Sequence, residues 1–377
     1  MNIVFISNFL NHHQIPISNE FNDMDGVHYN FIAVEDVPEE RVKMGYLKNF
    51  DYGFPYYINW NENKKEAELA ISEANVVIFG SAPSILLDIP IRNQALIFIY
   101  SERIFKSIYN IAAMYLRGSM SKIYKRISNY NKGYLLCAGN YAAQDFLSLS
   151  LFSNKKYKWG YFPRFIKYDI DSLLLDKRSD LINILWVGRL IPFKNPEHAL
   201  ELAQKLKEKH FNFHLQIVGD GVLYDSIEKK IQKWNLNDCV SLLGAQPFDL
   251  VRSYMEKSNI FFLTSNRKEG WGAVINEAMN SGCAVVANYK IGSTTFLIQN
   301  NINGLLYYSK NELFQKMEEL LNNHIYVEEL GRKAYMTIEN HWNPKKAAKN
   351  FIELSEQVAY GKYPKDISED EPCSIIE

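Results

Sequence analysis

Short apolar runs alternate with amphipathic stretches along almost the whole chain. In the first half, runs at 3–7, 28–34, 76–80, 96–101 and 134–138 read as strands. Helical periodicity follows from about Gln14, Lys64, Phe105 and Ala142. In the second half, strands are predicted near Ile184, Leu215, Val240, Phe262 and Val285, with a short last one at 304–307. Several of these runs, such as 76–79 and 260–263, are continuously apolar, as expected for parallel strands covered on both faces. Strand–helix alternation of this kind predicts an α/β chain of two doubly wound, Rossmann-like domains. An aromatic run closed by Pro163 marks a boundary, and a polar stretch at 167–180 leads into the second domain. The expected domains are 1–163 and 164–343. A helix at 344–360 follows, its buried stripe made of Ala347, Phe351, Leu354 and Val358. The polar, acidic tail 361–377 reads as disordered.

Composition narrows the function classes. A chain of 377 residues suits two cores better than one. A net charge of -1 gives no global field for nucleic acid, so no nucleic-acid partner is expected. The four cysteines (Cys137, Cys239, Cys283, Cys373) lack metal-site spacing; three sit in apolar strand-like runs, which reads as buried free thiols in a reducing cytosol. No run approaches the roughly 20 apolar residues that span a bilayer, and the N-terminal run reads as a strand, not a leader. A cytoplasmic protein, with peripheral association at the inner face of the plasma membrane, is the expectation.

The densest chemistry lies in E-G-W-G-A-V-I-N-E, which places Glu269 and Glu277 eight positions apart around Gly270, Trp271, Gly272, Ala273 and Val274. The predicted order is strand, glycine loop and helix (273–281). A helix start of that kind offers free backbone N–H groups to a phosphate. Ionised carboxylates on either side suit sugar or ribose hydroxyls, since each accepts two hydrogen bonds. Taken alone, the same residues also fit a helix with an acidic N-terminal flank. Upstream, a strand around Ile184 runs into Gly188-Arg189-Leu190, with Lys194 and Asn195 close behind. Arg189 brings a planar fork of donors and Lys194 a point charge, both at the carboxyl end of a parallel strand, where open α/β sheets bind ligands.

G-R-L-x-x-x-K-N, then V-G-D-G (with Gly219), then E-G-W-G-A-V-x-x-E resembles the nucleotide-sugar half of the retaining glycosyltransferases of family 4, which have the GT-B fold. The resemblance runs from about residue 182 to 306. It implies two Rossmann-like domains facing a central cleft, a retaining, metal-independent reaction and no cofactor beyond a nucleotide-sugar co-substrate, a UDP-sugar in the first instance. Arg189 and Lys194 would hold the donor diphosphate, Glu269 the donor sugar and Glu277 the ribose. Gly188, Gly219, Gly270 and Trp271 would line the donor site, with backbone N–H groups of Gly272, Ala273 and Val274 facing the phosphate. Residues 245–248 would hold the base. A saccharide or lipid-linked acceptor in bacterial polysaccharide or glycoconjugate assembly is the implied setting.

The first domain departs from that family, because Asn8 to Gln14 replaces its usual glycine pair. Asn11, His12, His13 and Gln14 are candidate contacts for acceptor or donor. The adjacent histidines are expected to point apart, so that only one serves the site. Glu102, closing the strand 96–101, could orient an acceptor hydroxyl or simply pair with Arg103 or Lys106. Between 103 and 132 stand seven basic residues (Arg103, Lys106, Arg117, Lys122, Lys125, Arg126, Lys132) and no acidic one, interleaved with aromatics. That composition fits a face for anionic lipid headgroups, or a solvated helix pair. Two alternatives to a transferase stay open. One is a non-catalytic glycosyltransferase-like partner protein, the other a different nucleotide-sugar enzyme of the same frame, such as an epimerase.

Overall fold

A computed structural model describes residues 1–39, 42, 53–107, 119–362 and 367–376. The chain divides into two compact units, Met1–Arg164 with Trp342–Glu377, and Phe165–His341. Among the described residues no helix is long and apolar enough to cross a membrane.

The first unit is built on a seven-stranded parallel sheet. Its strands are β1 (Asn2–Ser7), β2 (His28–Ala33), β3 (Tyr57–Asn59), β4 (Val76–Phe79), β5 (Leu96–Glu102), β6 (Gly133–Ala138) and β7 (Lys156–Trp159). They lie in the order β3-β2-β1-β4-β5-β6-β7. Every residue of β4 is buried, as its unbroken V-V-I-F run requires in a sheet covered on both faces. Two strands were not legible in the pattern. β3 is only three residues long, and β7 reads K-Y-K-W and runs into the stretch taken for a boundary. The helix expected from Phe105 falls largely on 108–118, outside the described residues; Ser119–Asn129 is helical.

The tail corrects an expectation. Residues 367–376 are not loose; they run antiparallel along the free edge of β7. Lys158 N–H donates to Ser374 O (2.8 Å), Cys373 N–H to Lys158 O (2.7 Å) and Ile376 N–H to Lys156 O (2.9 Å). Asn350 Nδ2 holds Glu371 Oε2 and Pro372 O at 2.9 and 3.0 Å, and Trp342 Nε1 donates to Asp370 O. Polar composition argues against a core, but an unpaired sheet edge recruits backbone whatever the side chains are. All four cysteines are free and buried, Cys373 because of this strap. The helix Pro344–Ala359 belongs to this same unit: Phe351 packs on Phe21, Phe98 and Trp159, with ring centroids 5.6, 5.0 and 5.6 Å away. Pro344 at its first turn and the Asn343 side chain, accepting from Lys346 N–H, start it cleanly.

The second unit has six parallel strands, each where the apolar pattern placed it. They are β8 (Ile182–Val187), β9 (Phe213–Val218), β10 (Val240–Leu242), β11 (Ile260–Leu263), β12 (Ala284–Asn288) and β13 (Leu305–Tyr307). Their order is β10-β9-β8-β11-β12-β13. Ile184, Trp186, Leu215, Ile217, Phe262 and Val286 form the sheet's share of one core, capped by Leu200 and Leu206 from the helix Glu197–Glu208. In both sheets the connection reverses direction at one place, between β1 and β4 and between β8 and β11. Loops leaving the carboxyl ends of those strands diverge there and open a crevice, the usual ligand position in this class of sheet.

Candidate functional site

β8 and β11 flank the reversal point of the second sheet, and their outgoing loops carry the residues singled out from the sequence. The β8 loop is bedded on the loop after β9. Gly188 N–H donates to Val218 O (3.0 Å), Leu190 N–H to Asp220 O (2.8 Å) and Leu223 N–H to Leu190 O (2.9 Å). Gly219 takes φ +142°, and a Cβ there would lie 1.9 Å from Gly188 O. Its contribution is therefore steric, letting the Arg189 loop sit flat on the V-G-D-G turn. Arg189 is half-buried on that loop, and Lys194 is buried five residues further on.

The β11 loop closes against it. Asn266 N–H donates to Phe193 O (2.9 Å), Asn195 Nδ2 to Thr264 O (2.9 Å) and the Thr264 hydroxyl to Lys194 O (2.6 Å). Glu269 N–H then donates back to Asn266 O, which turns the chain inward. The outcome is a direct ion pair between Lys194 Nζ and Glu269 Oε2. Both side chains are mostly withdrawn from water, at 11% and 14% exposure. The resemblance assigned these two groups to different parts of a donor; the structure makes them each other's partner. A pair so shielded is held by mutual compensation, and removing one member leaves a costly uncompensated charge.

Beyond Glu269 comes a buried turn. Gly270 is buried and Gly272 takes φ +86°. Trp271 corrects an expectation: it is only 1% exposed, its indole N–H donates to Asn276 Oδ1 (2.9 Å), and its ring lies beside Phe296. A large flat side chain with a single donor is most stable when both face and donor are used inside, so Trp271 braces the turn instead of lining an open surface. The helix that follows, Val274–Asn280, is seven residues long. The N–H groups of Gly272, Ala273 and Val274 have no acceptor among the described residues. Three adjacent free amides beside a lysine form a cradle suited to an anion.

Glu277 sits on that helix with Arg252 Nη2 3.9 Å from its carboxylate. Burial pushes the carboxyl pKa up, and Arg252 works against the rise. Arg252 Nη1 also donates to Glu277 O (3.0 Å), Asn280 Oδ1 (3.1 Å) and Ser281 Oγ (3.3 Å), so it ties down the end of the helix. Reading the sequence assigned no role to Thr264, Asn195 or Arg252. Asn195 carried a weak signal: it stands at φ +49°, a left-handed conformation that asparagine tolerates. Nothing local marks Arg252, the one arginine of the helix Phe248–Lys257, as anything but a surface cation.

In the first unit the loop after β1 is largely satisfied by itself. Asn11 Nδ2 donates to Gln14 Oε1 (2.9 Å), His13 N–H to Asn11 Oδ1 (3.0 Å) and Gln14 N–H to Asn11 O (2.8 Å), an arrangement that starts the helix Ile15–Asn22. His12 and His13 do not point apart; their rings lie against each other with centroids 3.7 Å apart. The reason is that they sit in a tight turn, not on extended backbone where successive side chains alternate. His13 also meets Tyr161 edge-on at 5.9 Å, and Tyr161 donates to Glu102 Oε1 (3.1 Å). The other Glu102 oxygen holds Lys106 Nζ at 2.5 Å. Burial, reinforced by Glu102, raises the Tyr161 pKa well above the ordinary phenol value, so Tyr161 remains a proton donor.

The basic stretch is not one continuous exposed face. Arg103 is buried against Asp145 and Tyr141, Lys106 pairs with Glu102, Arg126 with Asp88 (2.7 Å), and Lys132 donates to Gln94 O (2.7 Å). Arg117 lies outside the described residues, while Lys122 and Lys125 are exposed on the helix Ser119–Asn129. The Lys106–Glu102 pair is the local one expected from the sequence, whereas the partners of Arg103, Arg126 and Lys132 come from distant parts of the chain, which linear spacing cannot foresee.

Comparison with known proteins agrees with this geometry. Residues 174–337 match the family described as Glycosyl transferases group 1. An uncharacterized glycosyltransferase of Methanocaldococcus jannaschii is 36% identical over 141 residues, 37% of this chain and 38% of that protein. The amylovoran biosynthesis glycosyltransferase AmsK of Erwinia amylovora is 32% identical over 138 residues, 35% of this chain and 34% of the relative. The matched part is thus little more than a third of either relative's length. Over the whole chain, the crystal structure of Anabaena HepE in complex with UDP superposes with a TM-score of 0.69 at 13% identity, covering 96% of this chain and 99% of that one. The chain therefore has the GT-B fold, with two parallel-sheet Rossmann-like domains, and its residues 174–337 are similar to the glycosyl transferases group 1.

Proposed function

We propose that this protein transfers a sugar from a nucleoside-diphosphate sugar, a UDP-sugar in the first instance, to a hydroxyl of a saccharide or lipid-linked acceptor. One observation carries the reading: the Lys194–Glu269 pair, held between the two loops at the reversal of the second sheet, beside three free backbone N–H groups. An incoming diphosphate competes with Glu269 for Lys194 and fits the amide cradle, while sugar hydroxyls donate to the carboxylate that Lys194 shares. Arg189 adds a second cation from the same loop. Glu277, when ionised, accepts from the ribose hydroxyls. The bond from the anomeric carbon to the diphosphate breaks as the acceptor oxygen bonds to that carbon, and the acceptor proton passes to the departing phosphate oxygen. Fixed positive charge aimed at that oxygen stabilises the transition state more than the ground state.

Retention of configuration and independence of metal ions are carried over from the family resemblance. The UDP bound to HepE supports the nucleotide, and the amylovoran role of the Erwinia relative supports a setting in polysaccharide or glycoconjugate assembly. Screening UDP-, GDP- and ADP-sugars for thermal stabilisation and for turnover tests the reading, since a ligand bound only to the folded state raises the melting temperature. A UDP-sugar is expected to stabilise and to turn over, with unchanged rates in excess EDTA and an α-configured product from an α-configured donor. Stabilisation by UDP without turnover across a broad acceptor panel would make the chain a binding partner instead.

A further inference from the structure

We infer that Thr264 and Asn195 are positioning residues that set where Lys194 stands relative to Glu269; the inference rests on the donor-site reading above. Lys194 and Glu269 lie on different loops, 75 residues apart in the chain, and each has a flexible side chain. Their meeting therefore depends on how the backbones of the two loops are joined. Thr264, the first residue after β11, is fully buried and makes that joint. Its hydroxyl accepts from Trp186 Nε1 of β8 (2.8 Å) and donates to the carbonyl of Lys194 itself (2.6 Å). Its own carbonyl accepts from Asn195 Nδ2 (2.9 Å), an amide that the left-handed turn at Asn195 directs back toward β11. The Asn266 N–H to Phe193 O bond (2.9 Å) continues the same seam. Thr264 is thus bound through hydroxyl and carbonyl to three consecutive features of the opposite strand and loop, and none of those bonds involves a charged group. Valine has nearly the same shape but strands an indole N–H and a carbonyl in a buried place, whereas serine keeps both bonds.

The test compares Thr264→Ser, Thr264→Val and Asn195→Gly in the full chain, with Ile260→Val in the adjacent strand as a packing control. Two readouts are taken: amide hydrogen exchange at Asn266 and the kinetics of the UDP-sugar found by screening. Thr264→Val and Asn195→Gly are expected to speed exchange at Asn266 by at least about tenfold. They should also lower kcat by about tenfold to a hundredfold, the scale expected for misplacing a reacting group by about 1 Å. Thr264→Ser and Ile260→Val should leave both near wild type. Protected Asn266 together with wild-type kcat in Thr264→Val, or a serine variant no better than the valine one, would overturn the inference. Asn195→Gly, which keeps the backbone conformation, decides the matter if Thr264→Val does not fold. Should the wild-type protein transfer no sugar, the functional reading falls, and exchange at Asn266 still decides the positioning role.

Discussion

The two sheets reverse at equivalent places, yet the loops built there differ in kind. In the second unit, β8 and β11 send out loops that need each other: Gly219 must lack a side chain, Thr264 bridges the backbones, and a lysine and a glutamate close the seam. In the first unit the loop after β1 bonds to itself through Asn11 and Gln14 and presents two histidines whose tilted rings touch. One sheet topology thus supports an ion-paired cradle in one half and a turn held by amide hydrogen bonds in the other. Phosphates require the first arrangement, because only preorganised cations and amides repay the loss of water around a dianion. Hydroxyl acceptors need only hydrogen-bonding groups, so we propose that the first unit serves the acceptor.

Substitutions can break this contrast. The largest effect is expected from Lys194→Ala and Glu269→Ala, each losing at least about a hundredfold in turnover by steady-state kinetics, as when a transition-state donor is removed. Glu269→Ala should also cost about 3–5 kcal/mol of stability in denaturant titrations, since it leaves a buried lysine uncompensated. The paired Lys194→Met, Glu269→Leu variant should regain most of that stability while staying inactive. Recovery of activity as well would show that the pair acts only in folding.

Gly219→Ala is the next test. A Cβ 1.9 Å from the Gly188 carbonyl oxygen forces backbone to move, and a loss of about 2–3 kcal/mol is expected in thermal melts. Gly80→Ala at the first reversal should cost less, about 1 kcal/mol, because its Cβ would meet the Ser7 hydroxyl at 2.8 Å, a group that can rotate away. Equal costs would erase the distinction between the two reversals. For the acceptor side, His13→Ala should slow transfer by about tenfold while leaving UDP affinity unchanged in calorimetry. A matching loss of UDP affinity would move that loop to the donor side.

The smallest effect concerns Glu277. Its pKa is raised in the folded state by burial, so the folded protein holds this proton more tightly than the unfolded chain does. Stability from this group is complete below the ordinary carboxylate pKa and falls as pH rises through the elevated value. Glu277→Gln should therefore melt slightly higher than wild type at pH 7, with the difference shrinking as pH drops toward 4, while binding UDP more weakly. A variant that melts lower at pH 7 would mean that Arg252 outweighs burial.

Much of the molecule is written in local pattern. Strands covered on both faces are mostly apolar, so all six strands of the second sheet and five of the first stand out as apolar-rich runs. The glycines, the lysine, the arginine and the two glutamates of the donor loops are similarly visible, because their spacing along strand, turn and helix is itself local. What escaped has a common cause. β3 and β7 are short edge elements whose backbone pairing leaves little trace in side-chain type. The strap 367–376 is ordered by a sheet edge and by Asn350, both distant in the chain. The contact of His13 with Tyr161, the dispersal of most of the basic stretch and the inward Trp271 each reflect partners supplied by other elements. Periodicity reports which face of an element is covered; it carries no record of which hydrogen-bonding group waits on the other side. For that reason the pairing of Lys194 with Glu269, and the threonine that joins their loops, came into view only once the two strands stood side by side.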